Sequence, residues 1–267
     1  MAEVLEIQNS SHVPSFEYST ALSQDSESKN PVQISKVFEQ SKAALIHWSK
    51  ITIAERMRRM LLIEKEYIQR ADELAELLTL ECKKVKAESY LAEVIGTKEV
   101  FRFWNKNIAK ILSPQKIGFN PLNFPRKSAV IEKEARGILG LITPWNYPLA
   151  LAIRNIVPAL LAGNCIIHKP SEFNTKTALL IQEIFEKHLP HDVLQTVIGG
   201  KETGKAITEL TLDGIIFIGS LSAGKEISQK AGTKMIPVSL ELGGKDPALV
   251  LSDATLERTT AGILWGA

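Results

Sequence analysis

Residues 137–172, GILGLITPWNYPLALAIRNIVPALLAGNCIIHKPSE, decide how the rest of the chain is read. Ile138 to Ile142 is a short apolar run, read as a strand. Thr143-Pro144-Trp145-Asn146-Tyr147-Pro148 stops it, because two prolines remove backbone donors and fix φ. A largely apolar helix follows from about Leu149, and Gly163-Asn164 ends it with residues that tolerate a left-handed backbone. Cys165 to Lys169 is a second strand, closed by Pro170. This is a βαβ unit, whose right-handed crossover makes the two strands parallel neighbours. Asn146 stands after the first strand, and Lys169 and Glu172 stand after the second. Ligands of open α/β sheets bind at the carboxyl ends of the strands, so a site is expected here.

At 267 residues the chain can build a sizeable core in one or two domains. With 45% hydrophobic and 23% charged residues it has an ordinary globular composition. Its 32 basic and 30 acidic residues leave a formal charge of +2, which gives no nucleic-acid footprint. Arg154, Asn155 and Pro158 interrupt the longest apolar run, so no membrane partner is expected. The N-terminus lacks the apolar core of a signal peptide. Cys82 and Cys165 alone give no disulfide framework, and a reducing, cytoplasmic setting is the default.

Outward from the βαβ unit, the chain changes character on its two sides. Residues 1–29 are rich in Ser, Glu and Asn and are expected to form a mobile tail. Asn30-Pro31 opens a first helix with Ile34, Val37, Phe38, Leu45 and Trp48 on one face. Thr52-Ile-Ala-Glu55 has the capping-box pattern and opens a second helix to about Arg70. A third spans about Asp72 to Cys82, and a fourth about Lys86 to Leu112. The fourth carries Val94, Thr97, Phe101, Trp104, Ile108 and Ile111 as a packing stripe. Ser113 to Arg126 is expected to be irregular, and Lys127 to Arg136 an edge strand open to a partner strand. Beyond Glu172, strands and helices alternate. Strands are expected at Leu194–Ile198, Gly214–Ile218, Met235–Leu240 and Ala248–Leu251, with a last helix from near Ala254. That rhythm predicts an α/β fold, a Rossmann-like parallel sheet covered on both faces, behind an N-terminal helical segment.

Read from the residues alone, Asn146, Lys169, Glu172, Gly219-Ser220 and Glu241 all fall at strand ends and so on one edge. Gly219-Ser-Leu-Ser-Ala-Gly224 lies between a strand and a helix, where N–H groups and the helix dipole hold a phosphate. It is not GxGxxG, and a plain strand–helix turn is the favoured reading of it alone. Lys169 and Glu172 could hold a ribose, the carboxylate accepting from a hydroxyl. An incidental ion pair on a surface turn is the preferred reading from those two residues alone. Cys82 sits beside Lys83 and Lys84, which lower a thiol pKa, but no base or oxyanion hole is evident near it. His12, His47, His168, His188 and His191 show no ligand spacing, so no metal is expected.

Together, TPWNYP at 143–148, PALLAGN at 158–164, HKPSE at 168–172, FIGSLSAGK at 217–225 and LELGGKDP at 240–247 resemble the aldehyde dehydrogenase superfamily in order and spacing. The resemblance covers nearly the whole chain after the tail. It implies that Asn146 donates its side-chain amide to the oxyanion of a thiohemiacetal, and that Glu241 activates water for thioester hydrolysis. It implies that Lys169 and Glu172 hold the adenosine ribose and that Gly219, Ser220 and Gly224 hold the pyrophosphate. Ile142, Trp145 and Leu242 are further implied contacts of the cofactor. Glu172 would repel a 2′-phosphate, so NAD is expected, with NADP possible. An aldehyde substrate and a homo-oligomer in the complete enzyme are implied as well. By the same resemblance, residues 30–240 form the NAD(P)-binding domain, made of helices to 112, a connection with an oligomerisation-type strand over 113–136, and the βαβ core over 137–240. Residues 241–267 open a catalytic domain.

One element of the family pattern is missing. Its nucleophilic cysteine follows the LELGGK glutamate by a helix and a glycine-rich turn, whereas this chain stops at Trp265-Gly266-Ala267 inside that helix. Cys165 is expected to be a packed core thiol and Cys82 to lie on the helical side. The chain is therefore expected to be a truncated N-terminal portion of an aldehyde dehydrogenase, inactive alone. Two alternatives are a non-catalytic dinucleotide-binding protein and an interaction module completed by a partner chain.

Overall fold

A computed structural model describes residues 31–266 apart from 119, 121 and 124. The expected tail over 1–29 and the cap at Asn30 lie outside the described residues. The first helix, α1 (Pro31–Trp48), buries Ile34, Val37 and Trp48, with Phe38 and Leu45 partly covered. In α2 (Ile53–Gln69) the Thr52 hydroxyl accepts from the Glu55 N–H at 3.3 Å, which satisfies one orphan donor of the first turn. Arg56, Met60, Ile63 and Tyr67 recur at helical spacing and form its buried face. Helix α3 (Ala71–Cys82) buries Leu74, Ala75 and Leu78 and ends at Lys83, whose φ of 59° turns the chain left-handed.

The expected fourth helix is interrupted. It comprises α4 (Lys86–Glu88), a π-helical segment (Ser89–Ile95) and α5 (Gly96–Leu112). A wider turn leaves carbonyls without their usual partners, and here side chains supply them. The Thr97 hydroxyl donates to Glu93 O at 2.7 Å and lies 3.0 Å from Val94 O, to which the Tyr67 hydroxyl donates at 2.9 Å. All of this is buried, and burial pushes the Tyr67 pKa upward. Of the expected stripe, Val94, Thr97, Phe101 and Ile108 are buried; Ile111 reaches the surface.

The connecting region differs from expectation. Gln115–Ile117 (β1) lies within the stretch expected to be irregular, and it pairs antiparallel with β2 (Ala129–Ile131). The expected strand over Lys127–Arg136 thus shrinks to three residues, and one of its edges is taken by the chain's own β1. Its alternation signalled strand character correctly, but the length was set by the partner available.

The main sheet holds β3 (Ile138–Ile142), β4 (Cys165–Lys169), β5 (Leu194–Thr196), β6 (Gly214–Gly219) and β7 (Val238–Leu242), in the order β5-β4-β3-β6-β7. Every neighbouring pair is parallel. Buried on both faces, β3 and β4 are apolar apart from His168 and Lys169, as a sheet covered by helices requires. Helices α6 (Pro148–Leu161) and α7 (Thr175–Glu186) pack under α2, α3 and α5. Right-handed crossovers that reverse direction put the later connections on the other face. There α8 (Lys201–Glu209) joins α1 against β3, and α9 (Leu221–Thr233) packs on β6 and β7. One contiguous apolar core joins the helical segment to the sheet.

A last helix, α10 (Leu256–Gly266), buries none of its residues. The expected strand at Ala248–Leu251 is not formed: no strand pairs with it, and Leu249 and Leu251 are exposed. A short apolar run without a ladder partner has nothing to hold it extended.

Candidate active site

Strand register brings the carboxyl ends into line. Ile142 pairs with Lys169 on one side and with Phe217 on the other, and Phe217 pairs with Leu240. After β3 the chain moves to β4 and β5, then returns to place β6 on the opposite side of β3. That reversal opens a crevice between diverging connections, where α/β sheets take their ligands. A cleft of about 200 Å³ occupies it, lined by Ile142, Lys169, Glu172, Phe217, Gly204 and residues of α8 and α9.

Ile142, Lys169 and Glu172 therefore line one cavity. Lys169 is 6% exposed; its ammonium donates to Pro170 O at 3.0 Å and faces the Glu172 carboxylate at 3.6 Å. Burial draws its pKa down and Glu172 opposes this. Lys201, Lys205 and Lys230 also line the cleft with Glu172 and Glu226, and Lys205 pairs with Glu202 at 2.9 Å and Lys230 with Glu209.

Ser220 is the N-cap of α9: its hydroxyl accepts from the Ala223 N–H at 3.3 Å. That leaves the N–H groups of Leu221 and Ser222 pointing out of the helix end, as in anion-binding turns. At Gly219 a Cβ would meet the Phe217 ring at 2.6 Å, so a larger residue there would displace the ring. Gly224 packs equally closely on Leu242, which holds the end of β7 against the first turn of α9.

Trp145 and Asn146 lie on the exposed turn after β3. The turn is held from below by residues that the sequence did not mark. Glu93, fully buried in the π-helical segment, accepts from the N–H groups of Leu149 at 3.0 Å and Ala150 at 3.2 Å. It thereby caps α6 from 56 residues away, a negative charge at a positive helix end. Lys84 pairs with Glu93 at 2.7 Å and lies 3.4 Å from the centre of the Tyr147 ring, within the same turn. Helix α7 is capped in the same way: Glu81 accepts from the N–H groups of Lys176 at 2.8 Å and Thr177 at 3.0 Å, and from the Thr177 hydroxyl at 2.6 Å.

Cys82 lies between these two caps. Asn174 donates to its sulfur at 3.2 Å, and the thiol faces Trp145 O at 3.6 Å. The thiol thus comes close to the Asn146 turn, which its place at the end of the third helix did not suggest. Burial and the nearby Glu93 push its pKa up to about 11 despite Lys84, so it stays protonated at neutral pH. Cys165 is buried in β4 and pushed up to about 12 by burial. Glu241 is exposed on β7, two strands from β3, on the same edge of the sheet as Asn146. Within 31–266 no hydrogen bond joins those two.

A signal for Glu93 did exist in the sequence. It is a carboxylate beside Val94, in phase with an apolar stripe, where only a paired charge is tolerated. Lys201, Lys205 and Phe217 escaped notice because lining a cleft depends on how helices pack.

Comparison with known proteins agrees with this architecture. A profile described as "Aldehyde dehydrogenase family" matches residues 17–267. The chain is 36% identical over 238 residues to 4,4'-diapolycopene aldehyde oxidase of Methylomonas sp, covering 89% of this chain and 45% of that protein. It is likewise 36% identical over 224 residues to a peroxisomal aminoaldehyde dehydrogenase 1 of Pisum sativum, covering 82% and 44%. Among solved structures, a point mutant of betaine aldehyde dehydrogenase from Staphylococcus aureus in complex with NAD+ superposes with a TM-score of 0.81 at 28% identity, covering 88% of this chain and 48% of that one. The chain spans about half the length of the curated relatives it matches. Fold, motif order and these likenesses agree, and the chain belongs to the aldehyde dehydrogenase family.

Proposed function

We propose that this chain carries the cofactor-binding half of an NAD(P)-dependent aldehyde dehydrogenase, which oxidises an aldehyde to a carboxylic acid. The observation that carries the reading is the cleft at the strand-order reversal, where a buried lysine and a carboxylate meet beside a capped helix terminus. Residues 30–240 would be the cofactor domain and 241–267 the opening of the catalytic domain. The β1–β2 ribbon, with Ile117, Val130 and Ile131 exposed, is the element we assign to homo-oligomer contacts.

The residues fit a dinucleotide. Lys169 and Glu172 would hold the adenosine ribose, and the first turn of α9 from Gly219 to Gly224 would hold the pyrophosphate. Ile142, Trp145 and Leu242 would supply the apolar contacts. Bound there, NAD(P)+ supplies hydride acceptance. Asn146 would donate its side-chain amide to the oxyanion formed when a nucleophile adds to the aldehyde, a contribution of about 10²–10³ in rate. Glu241, on the exposed end of β7, would take the proton from water as it attacks the acyl intermediate. Gly243-Gly244 beside it allow the carboxylate to move aside.

A carboxylate ~5 Å from a 2′-phosphate costs on the order of 3 kcal/mol per phosphate charge at an effective dielectric of about 20, before screening. Glu172 thus favours NAD over NADP, while Lys201 and Lys205 in the same cleft reduce the difference. NAD is expected to change tryptophan emission saturably, since Trp145 follows the cleft-lining Ile142 on the turn after β3. Lys169→Ala is expected to weaken NAD at least about tenfold, the scale of a lost charge-assisted hydrogen bond. Glu172→Gln is expected to raise the affinity for NADP relative to NAD. A flat titration at millimolar NAD would count decisively against the reading.

Neither Cys82 nor Cys165 is poised as a thiolate, so the 267 residues alone are expected not to oxidise aldehydes. Robust NAD-dependent oxidation by the purified, mass-verified chain would overturn this. A second reading, an interaction module, is favoured by the exposed Leu249, Leu256, Leu264 and Trp265. Stoichiometric co-purification would support it, and a lone folded monomer would speak against it.

A further inference from the structure

Away from the cofactor cleft, at the amino end of β3, lies a second cavity of about 440 Å³. Its most unusual lining residue is Arg56, on the buried face of α2 and only 6% exposed. The Arg56 Nε–H is buried without an acceptor, and among the described residues no carboxylate pairs with the guanidinium. Burial alone bears on its pKa, which is drawn down with no neighbouring charge contributing. Among the described residues, the buried Glu93 and Lys169 do have opposite partners, Lys84 and Glu172. A buried cation without a partner is strongly unfavourable, so a bound anion is the missing half of an ion pair.

The surroundings keep room for that guanidinium. Gly163 has a φ of 94°, and a Cβ at that position would strike Arg56 Nη1. Lys133 and Arg136 line the cavity with Glu134 as the opposing charge, and Leu45, Ile53 and Leu112 give it an aliphatic wall. The Lys133 ammonium also donates to Ile111 O, which orders it at the rim. A planar guanidinium fork matches the two oxygens of a carboxylate, and an aliphatic wall matches a short alkyl stem. A dianionic phosphate would instead bring a second charge toward Glu134 and leave that wall uncovered.

We propose that this cavity binds a small aliphatic monocarboxylate, with its oxygens on the Arg56 guanidinium and its stem along Leu45, Ile53 and Leu112. The site is separate from the cofactor cleft and does not depend on the function proposed above.

The test is a titration of the full chain with acetate, propionate and butyrate at constant ionic strength, following the amide resonances of Ala135, Gly137 and Gly163. Saturable shifts at these amides are expected, with affinity rising up to about fourfold for each methylene that becomes buried. Arg56→Lys, which keeps the charge but loses the fork, is expected to weaken butyrate at least about tenfold. Should that variant fold poorly, the double variant K133Q/R136Q alters only exposed positions and is expected to weaken butyrate about two- to fivefold. Three results would overturn the proposal: no saturable shift with butyrate at about 50 mM, an affinity that stays flat along the series, or tighter binding of inorganic phosphate than of butyrate at equal ionic strength.

Discussion

Glu93→Ala is expected to lose about 3–5 kcal/mol of folding stability, the scale seen when one partner of a buried ion pair is removed. Three interactions disappear together. The N–H groups of Leu149 and Ala150 lose their acceptor, and Lys84, with its side chain 11% exposed, keeps its charge without a partner. For a chain of this size the loss corresponds to a fall in Tm on the order of 10 °C. Glu93→Gln retains an acceptor for the helix end but not the charge, and should fall between the two. Glu76→Ala is the control. Its ion pair with Lys86 is exposed on both sides, and such pairs contribute about 0–1 kcal/mol. Urea unfolding of the three variants reads these differences directly. If Glu93→Ala lay within about 1 kcal/mol of the unsubstituted chain, the carboxylate would not be the cap that holds the Asn146 turn.

The second large effect is acid sensitivity set by His168. Its ring is 1% exposed in β4, and burial, aided by the adjacent Lys169, depresses its pKa to about 3. Thr143 Oγ1 sits 3.0 Å from Nε2, and among the described residues Nδ1 has no partner. The ordinary value is about 6.5, so below that pH the unfolded chain binds a proton that the folded chain refuses. Stability is therefore full above pH 6.5 and falls as the pH drops, by about 2 kcal/mol between pH 7 and pH 5 from this group alone. Carboxylates with depressed pKa values, such as Glu66 and Glu183, lose their contribution only below the usual carboxylate range. Glu64 is raised by burial and acts in the opposite sense, but it is common to both proteins compared. His168→Val places a β-branched residue, favoured in strands, at this position and removes the titration. Its unfolding free energy should vary about 2 kcal/mol less over that interval than that of the unsubstituted chain. Equal pH slopes for the two would exclude His168 as the origin.

The sheet was the most legible part of the chain. Apolar runs such as Ile138–Ile142 and Cys165–Lys169 sit between prolines and glycines that leave little choice of boundary, and the strands form where those signals fall. The strand at Ala248–Leu251 failed for the opposite reason. An apolar run states what it could pair with, and pairing depends on a neighbour. The β1–β2 ribbon shows the same dependence, since Gln115–Ile117 carries no strong strand signal and extends because β2 lies beside it. Among the site residues, Lys169 and Glu172 were readable because three positions in a turn fix their proximity. The capping roles of Glu81 and Glu93 were not, because each acts on a helix 56–96 residues further along the chain. Arg56 belongs to the same class. Its place on an apolar face was visible, but the absence of a partner appears only once Gly163 and Ala135 close over it.

The π-helical segment has a consequence for how this chain tolerates change. In an α-helix each residue advances about 100° around the axis, so every side chain fixes the direction of the others. The wider turn at Ser89–Ile95 adds a phase offset between the two ends of one rod. Glu93 can face the end of α6 while Phe101 and Ile108 still face the core. Winding the same 7 residues as a regular α-helix would instead rotate one end against the other by about that angle. Either the carboxylate would leave the Leu149 amide or the aromatic stripe would leave the core. Loops elsewhere in the chain can absorb a change of length, whereas here the winding of one segment decides the angular register between a packing surface and a polar clamp.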